Sequence, residues 1–216
     1  APVTDDQNNL LGRITFDDVI DEIKSEADES LRQISGIDSD TFEKTSTAIK
    51  TRGFWLGTNL LTALIAASVI NIFKETLEQV IFLAVLMPII ASMGGVAATQ
   101  TLTITVRGLA LGQIVRANYL YIFNRELMVG ISNGFIWAVI LSLIACSWFQ
   151  DWLLAWVICL SMIINLIAGV LSGMGIPILL KGLKMDPAVA GSVIVTTVTD
   201  VIGFFSFLGL ATYFYS

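Results

Sequence analysis

The 216-residue chain has no histidine, only two cysteines, and 14% charged residues against 55% apolar ones. Each shortage excludes something. Without histidine, and with Cys146 and Cys159 in apolar runs that match no metal or redox spacing, a chelating transition-metal centre lacks a ligand set. The charge content lies well below the roughly 25% of an ordinary soluble domain, so the bulk of the chain does not read as a water-soluble globule. Both cysteines read as small apolar fillers, with a disulfide across the short 150–152 turn as the alternative. Ala1–Asn9 has neither a basic stretch nor an apolar run, so no signal peptide is expected in this stretch. The chain opens without Met, and Pro2-Val3 leads straight into a turn, which predicts a segment of a longer protein.

The few charges are unevenly placed. Residues 1–52 hold 12 of the 18 acids and 6 of the 12 bases, while residues 53–216 hold 6 of each and are neutral overall. The low isoelectric point therefore belongs to a short hydrophilic head. Within it, Asp5-Asp6-Gln7-Asn8-Asn9 reads as a turn and Leu10 to Thr15 as a strand-like run. Thr15 is a good N-cap for a helix from Phe16 to about Ser35, with Gly36 as its C′ residue. A second helix is expected from Asp38 to Lys50. These pieces hold too little apolar surface for a core of their own.

From Phe54 onward the apolar runs are long enough to cross about 30 Å of hydrocarbon. Five spans are expected, near 54–73, 79–105, 127–149, 152–180 and 188–214. The fold class is thus an all-α polytopic membrane protein with five transmembrane helices, preceded by a short cytosolic α/β remnant and a connecting helix. Trp55, Trp148, Trp152 and Tyr213 lie near span ends, as interfacial aromatics do. Eight Lys and Arg residues fall on one side (Lys44, Lys50, Arg52, Arg107, Arg116, Arg125, Lys181, Lys184) and only Lys74 on the other. The positive-inside rule then puts the N-terminus in the cytoplasm and Ser216 outside, in a plasma or inner membrane.

Of the six acids beyond residue 52, Glu75, Glu78, Glu126, Asp151 and Asp186 are expected in connections or at span ends. Asp200 is near the middle of the fifth span. An ionisable group there costs about 2.5–3.5 kcal/mol on insertion scales and should face a bundle interior or water. No basic residue in the expected spans can pair with it, which favours a cation path over a permanently bonded structural Asp. Ser192, Thr196, Thr199, Asp200, Gly203 and Ser206 form one small or hydroxyl-bearing stripe at helical spacing. Pro88, Ser92, Gly95, Thr99 and Thr103 repeat the pattern in the second span, where close helix packing is the competing explanation. Met93-Gly94-Gly95 after Pro88 would further loosen that helix and free carbonyls. Few carboxylates among many hydroxyls suit Mg²⁺, which keeps its waters.

These segments resemble the MgtE-type magnesium transporters. The resemblance rests on Met87-Pro88-Ile89-Ile90-Ala91-Ser92-Met93-Gly94-Gly95, continuing through Gln100 to Val106-Arg107-Gly108-Leu109-Ala110-Leu111-Gly112. It rests equally on Asp186-Pro187-Ala188, Thr196-Thr197-Val198-Thr199-Asp200 and Gly203-Phe204. Residues 10–20 resemble the end of a CBS-type regulatory domain. The resemblance implies three parts: 1–36 as the end of that domain, 37–52 as a connecting helix, and 53–216 as a five-helix pore domain. It also implies a homodimer, with the remaining cytosolic domains of the same protein as partners. Asp200 would be the Mg²⁺-binding carboxylate, with Ser192, Thr196, Thr199, Gly94, Gly95, Thr99 and Thr103 lining the pore around the ion's water shell. Val96 stands where the family has Asn, Ala98 where it has Gly, and Val193 where Pro is common.

The acidic helix carries Asp17, Asp18, Asp21, Glu22, Glu26, Asp28 and Glu29, with Lys24 the one base between Asp17 and Glu29. Like charges at i,i+4 each cost a few tenths of a kcal/mol. A solvated face is the default for such a run. The family is gated by cytosolic Mg²⁺, which makes Asp17, Asp18, Asp21, Glu22, Glu26 and Glu29 candidate regulatory ligands. The expected function is passive, voltage-driven Mg²⁺ uptake, with Mg²⁺ the sole ion implied and neither enzymatic activity nor a nucleic-acid partner. The alternative is a proton-coupled exchanger of Mg²⁺, Mn²⁺ or Co²⁺. An intramembrane aspartyl protease would need two catalytic carboxylates, and one subunit offers only Asp200. A non-conducting membrane anchor would leave that residue unexplained.

Overall fold

The computed structural model describes residues 1–23, 44–183 and 191–215. The head begins as a two-stranded antiparallel ribbon, β1 (Pro2–Thr4) and β2 (Leu10–Arg13), with Val3 opposite Gly12 and a bulge between Val3 and Thr4. Its turn forms because the Asp5 carboxylate accepts from the backbone N–H groups of Gln7 and Asn9 at 2.9 and 2.8 Å. A helical segment, α1, covers residues 16–23. Thr15 starts it differently from the simple N-cap expected. Its N–H and its hydroxyl both donate to Asp18 Oδ2, at 2.7 and 2.6 Å, the reaching-back half of a capping box. The expected helix C-terminus near Ser35 and the start of the second helix lie outside the described residues.

Among the described residues, five helices are long and apolar enough to span a membrane: α2 (Thr45–Ile72), α4 (Phe82–Ala110), α5 (Tyr119–Phe149), α6 (Trp152–Gly182) and α7 (Gly191–Tyr215). The protein is thus an all-α polytopic membrane protein. Two boundaries differ from expectation. The second hydrophilic helix and the first span run together as α2, because neither Gly53 nor Gly57 interrupts a run that is otherwise helix-compatible. The third span starts at Tyr119, so Glu126 is inside α5 and 4% exposed rather than in a connection. Between α2 and α4, a six-residue helix α3 (Lys74–Gln79) carries Glu75 in its first turn and a Lys74–Glu78 ion pair.

Helix α6 is the hub and packs on α4, α5 and α7. Buried residues make up 61% of its most apolar stretch, against 6% for α2. Glycines allow this closeness. A Cβ at Gly169 would lie 2.8 Å from the Gly94 carbonyl oxygen, and one at Gly173 2.5 Å from that of Ala98. In lipid, where apolar burial gives little drive, such close backbone approach supplies the packing. The same contacts show α6 running parallel to α4. Helix α7 runs antiparallel to it, with Gly191 against Leu102 and Gly203 at the level of Gly94. The main core cluster, including Leu83, Leu86, Ile90, Leu154, Ile158, Phe207 and Leu208, closes one end of this three-helix unit.

That end is tied by polar contacts as well. Gln150 takes φ 54° to turn the chain sharply after α5. Asp151 then caps α6, accepting from the N–H groups of Leu153 and Leu154 at 2.8 and 3.2 Å. The Tyr215 hydroxyl donates to its other oxygen, joining the end of α7 to the start of α6. At the opposite end the Lys181 ammonium donates to the Leu109 carbonyl at 3.3 Å, which joins α6 to α4. Cys146 and Cys159 are free thiols beside Trp152 and Trp156 in an apolar groove. The alternative disulfide does not form.

Candidate functional site

Asp200 lies nine residues into α7, about 14 Å along its axis at 1.5 Å per residue. It is half-buried and makes no hydrogen bond or ion pair among the described residues. Ile194, Thr197, Val198, Val201 and Ile202 line an apolar groove with Thr62 of α2. Ser192, Thr196 and Asp200 fall about 160° around the helix from that groove, at 100° per residue. The buried line of α7 is a third one, formed by Gly191, Val195, Thr199, Gly203 and Phe207.

On α4 the expected stripe is open. Ser92, Thr99 and Thr103 are exposed, and a Cβ at Gly95 would meet nothing within 4 Å. Because α7 is antiparallel and Gly191 and Gly203 match the levels of Leu102 and Gly94, Asp200 shares the depth of Gly95 and Thr99. The hydroxyls are oriented by their own helices. Thr99 donates to the Gly95 carbonyl and Thr103 to that of Thr99, each at 2.8 Å, and Thr196 to that of Ser192 at 2.9 Å. With their protons used internally, these oxygens present lone pairs outward, as acceptors for the protons of water around a cation.

Two of the expected residues turn inward. Thr199 is 0% exposed and donates to the Thr196 carbonyl at 2.9 Å. Gly94 is buried against Asn165 of α6. They shape the interior of the unit instead of its open face.

Asn165 is the residue that charge-based reasoning passed over. It is fully buried, and its Nδ2 donates to the Ile90 carbonyl at 2.8 Å. Its Oδ1 has no hydrogen-bond partner among the described residues. A Cβ on Gly94 would lie 2.2 Å from Nδ2, and one on Gly203 2.7 Å from it. One amide therefore spans α4 and α7 a single turn from Asp200, and only glycine on each helix leaves it room. A lone amide within Met162-Ile163-Ile164-Asn165-Leu166-Ile167 is the signal that could have revealed it.

Among the described residues, no three His, Cys, Asp or Glu side chains come together as a metal cage. The donor set around Asp200 is one carboxylate with hydroxyls, which suits an ion held through its waters. In the head, Asp17, Asp18, Asp21 and Glu22 are exposed on α1, while Glu26 and Glu29 lie outside the described residues. Asp18 already serves Thr15, whose hydroxyl and then backbone N–H hold its carboxyl below the usual range. Asp186, Lys184 and the Pro187 segment also fall outside the described residues.

Five helices long and apolar enough to span, one of them carrying a carboxylate with no partner among the described residues, define a multi-pass membrane protein. The MgtE family model, described as a divalent cation transporter, matches residues 87–210, and the chain belongs to that family. The chain is 35% identical over 215 residues to the magnesium transporter MgtE of Bacillus subtilis, covering 99% of this chain and 48% of that protein. It is 30% identical to the magnesium transporter MgtE of Enterococcus faecalis, over 99% of this chain and 48% of the relative. For the magnesium transporter MgtE of Thermus thermophilus the figures are 29%, 97% and 47%. The chain spans about half the length of these relatives.

Proposed function

We propose that this chain is the membrane half of a Mg²⁺ transporter, in which the ion passes Asp200 with its water shell largely intact. The observation that carries this is a half-buried carboxylate at mid-span with no partner among the described residues. Leaving such a group without a counter-charge is costly in hydrocarbon, and a passing cation supplies one. The hydroxyl rows at the same depth offer acceptors to that cation's waters. The open faces of α4 and α7 support a path at the axis of a homodimer, where two Asp200 side chains would serve one ion.

The N-terminus lies in the cytoplasm in this reading, supported by the Lys and Arg bias. Uptake is then passive: two charges crossing 100 mV gain about 4.6 kcal/mol, or about three decades of concentration ratio. Cytosolic Mg²⁺ regulates the path through Asp17, Asp18, Asp21, Glu22, Glu26 and Glu29. Asp18 must exchange its Thr15 contacts for the ion.

The test is Asp200→Ala in proteoliposomes, with insertion and dimerisation checked by chromatography. Mg²⁺ flux is expected to disappear while both are retained. Wild-type flux in the variant overturns the assignment. Flux that follows a proton gradient instead of voltage replaces the channel with an exchanger.

A further inference from the structure

Glu126 is the buried carboxylate that the Asp200 path does not use. It lines a cavity of about 350 Å³ between α4, α5 and α6, together with Gln100, Thr101, Asn133 and Trp137. Among the described residues, no lysine or arginine lines this space. On α4 the cavity face lies about 130° around the helix from the Ser92–Thr103 stripe, at 100° per residue. The two sites are therefore separate.

Glu126 is 4% exposed, and its ion pair with Arg125 is 3.6 Å long, with the arginine 63% exposed. That separation exceeds the roughly 2.7–2.9 Å of a charge-assisted hydrogen bond. Adjacent residues on a helix also point in different directions, so Arg125 answers the charge from outside the cavity. Inside, the carboxylate faces two amides and the Thr101 hydroxyl, 4% exposed.

The geometry points to a second divalent-cation site, lateral to Asp200, in which Glu126 holds a hydrated ion and Gln100, Thr101 and Asn133 accept from its waters. The volume fits: a cation's six waters occupy about 180 Å³ at about 30 Å³ each. A lipid phosphate would be repelled by the carboxylate, and an acyl chain would leave the polar groups unpaired. The site also has mechanical consequences. Helices α4 and α5 scarcely touch and both lean on α6. An ion between Glu126 and Asn133 of α5 and Gln100 and Thr101 of α4 would bind these two helices directly.

The probe is Mn²⁺ alone, added to the full chain in lipid vesicles. Trp55, Trp148, Trp152 and Trp156 are replaced by Phe, which leaves Trp137 at the cavity as the sole reporter. Asp200→Asn removes the central ion, so failure here is distinguishable from failure of the proposed path. Saturable quenching of Trp137 is expected, with its midpoint raised about 10–100-fold by Glu126→Gln, the usual effect of losing a supporting ligand. Glu126→Asp should largely restore it. Asn133→Leu, which keeps the carboxylate, should raise the midpoint as well and serves if Glu126→Gln does not fold. Quenching that never saturates, or a midpoint unmoved by these variants, overturns the proposal.

Discussion

Adjacent glycines at 94 and 95 should respond oppositely to the same added methyl group. At Gly94 an alanine Cβ would lie 2.2 Å from Asn165 Nδ2, 2.6 Å from its Cγ and 2.8 Å from its Oδ1, where ordinary contact begins at 3.4 Å. The amide cannot swing aside, because it is fully buried and bonded to the Ile90 carbonyl. Overpacking of this kind costs about 1–3 kcal/mol, and breaking the hydrogen bond about 1 kcal/mol more. Alanine regains about 1 kcal/mol over glycine in a helix. The net loss for Gly94→Ala is therefore about 1–3 kcal/mol, whereas Gly95→Ala, with nothing within 4 Å, should be neutral or slightly stabilising. Unfolding of each variant in detergent measures the difference. Adding Asn165→Ala to Gly94→Ala removes the obstructing atoms, so the pair should couple by on the order of 1 kcal/mol. Equal effects at 94 and 95, or costs that simply add in the double variant, would refute the reasoning.

Other consequences follow from polar contacts outside the path. Burial works against the charged form of Asp151, but the Tyr215 hydroxyl and the N–H groups of Leu154 and Leu153 outweigh it and hold the carboxyl below its usual range. Its stabilisation is thus fully present above the unfolded value, about 3.9, and is lost as pH falls through the lower folded value. Asp151→Asn keeps an acceptor for the helix cap and should flatten that acid limb in thermal unfolding at about pH 3–7; an unchanged limb counts against this account. The Thr76 and Thr212 hydroxyls meet at 2.7 Å, joining α3 to α7. Thr76→Val should cost about 1 kcal/mol in the same assay, and a stabilised variant would show that this contact is dispensable.

The acidic turn and ribbon of the head were legible because turn residues act locally: the Asp5 side chain satisfies backbone groups two and four residues on. The spans were legible because length and hydropathy are properties of a continuous segment. Their starts were less so. The third span was expected at residue 127, yet α5 begins at Tyr119, and Glu126 consequently moved from a connection into the protein interior. Charge marks a residue as unwelcome in lipid but does not say which neighbours cover it. Asn165 carried no charge and drew no notice, although it sits between the two helices that carry the proposed path.

Composition, periodicity and one misplaced carboxylate therefore determined by themselves that this is a five-span membrane protein with Asp200 at mid-depth, since the bilayer constrains each segment separately. Which side of each helix is open was decided only by tertiary structure. Thr199 belongs by spacing to the same stripe as Asp200, and Gly94 is the neighbour of Gly95, yet both turn inward: Thr199 falls on the buried line of α7, and Gly94 meets Asn165 of α6. A helix offers all its faces until a neighbour approaches, and the neighbour is supplied by another part of the chain.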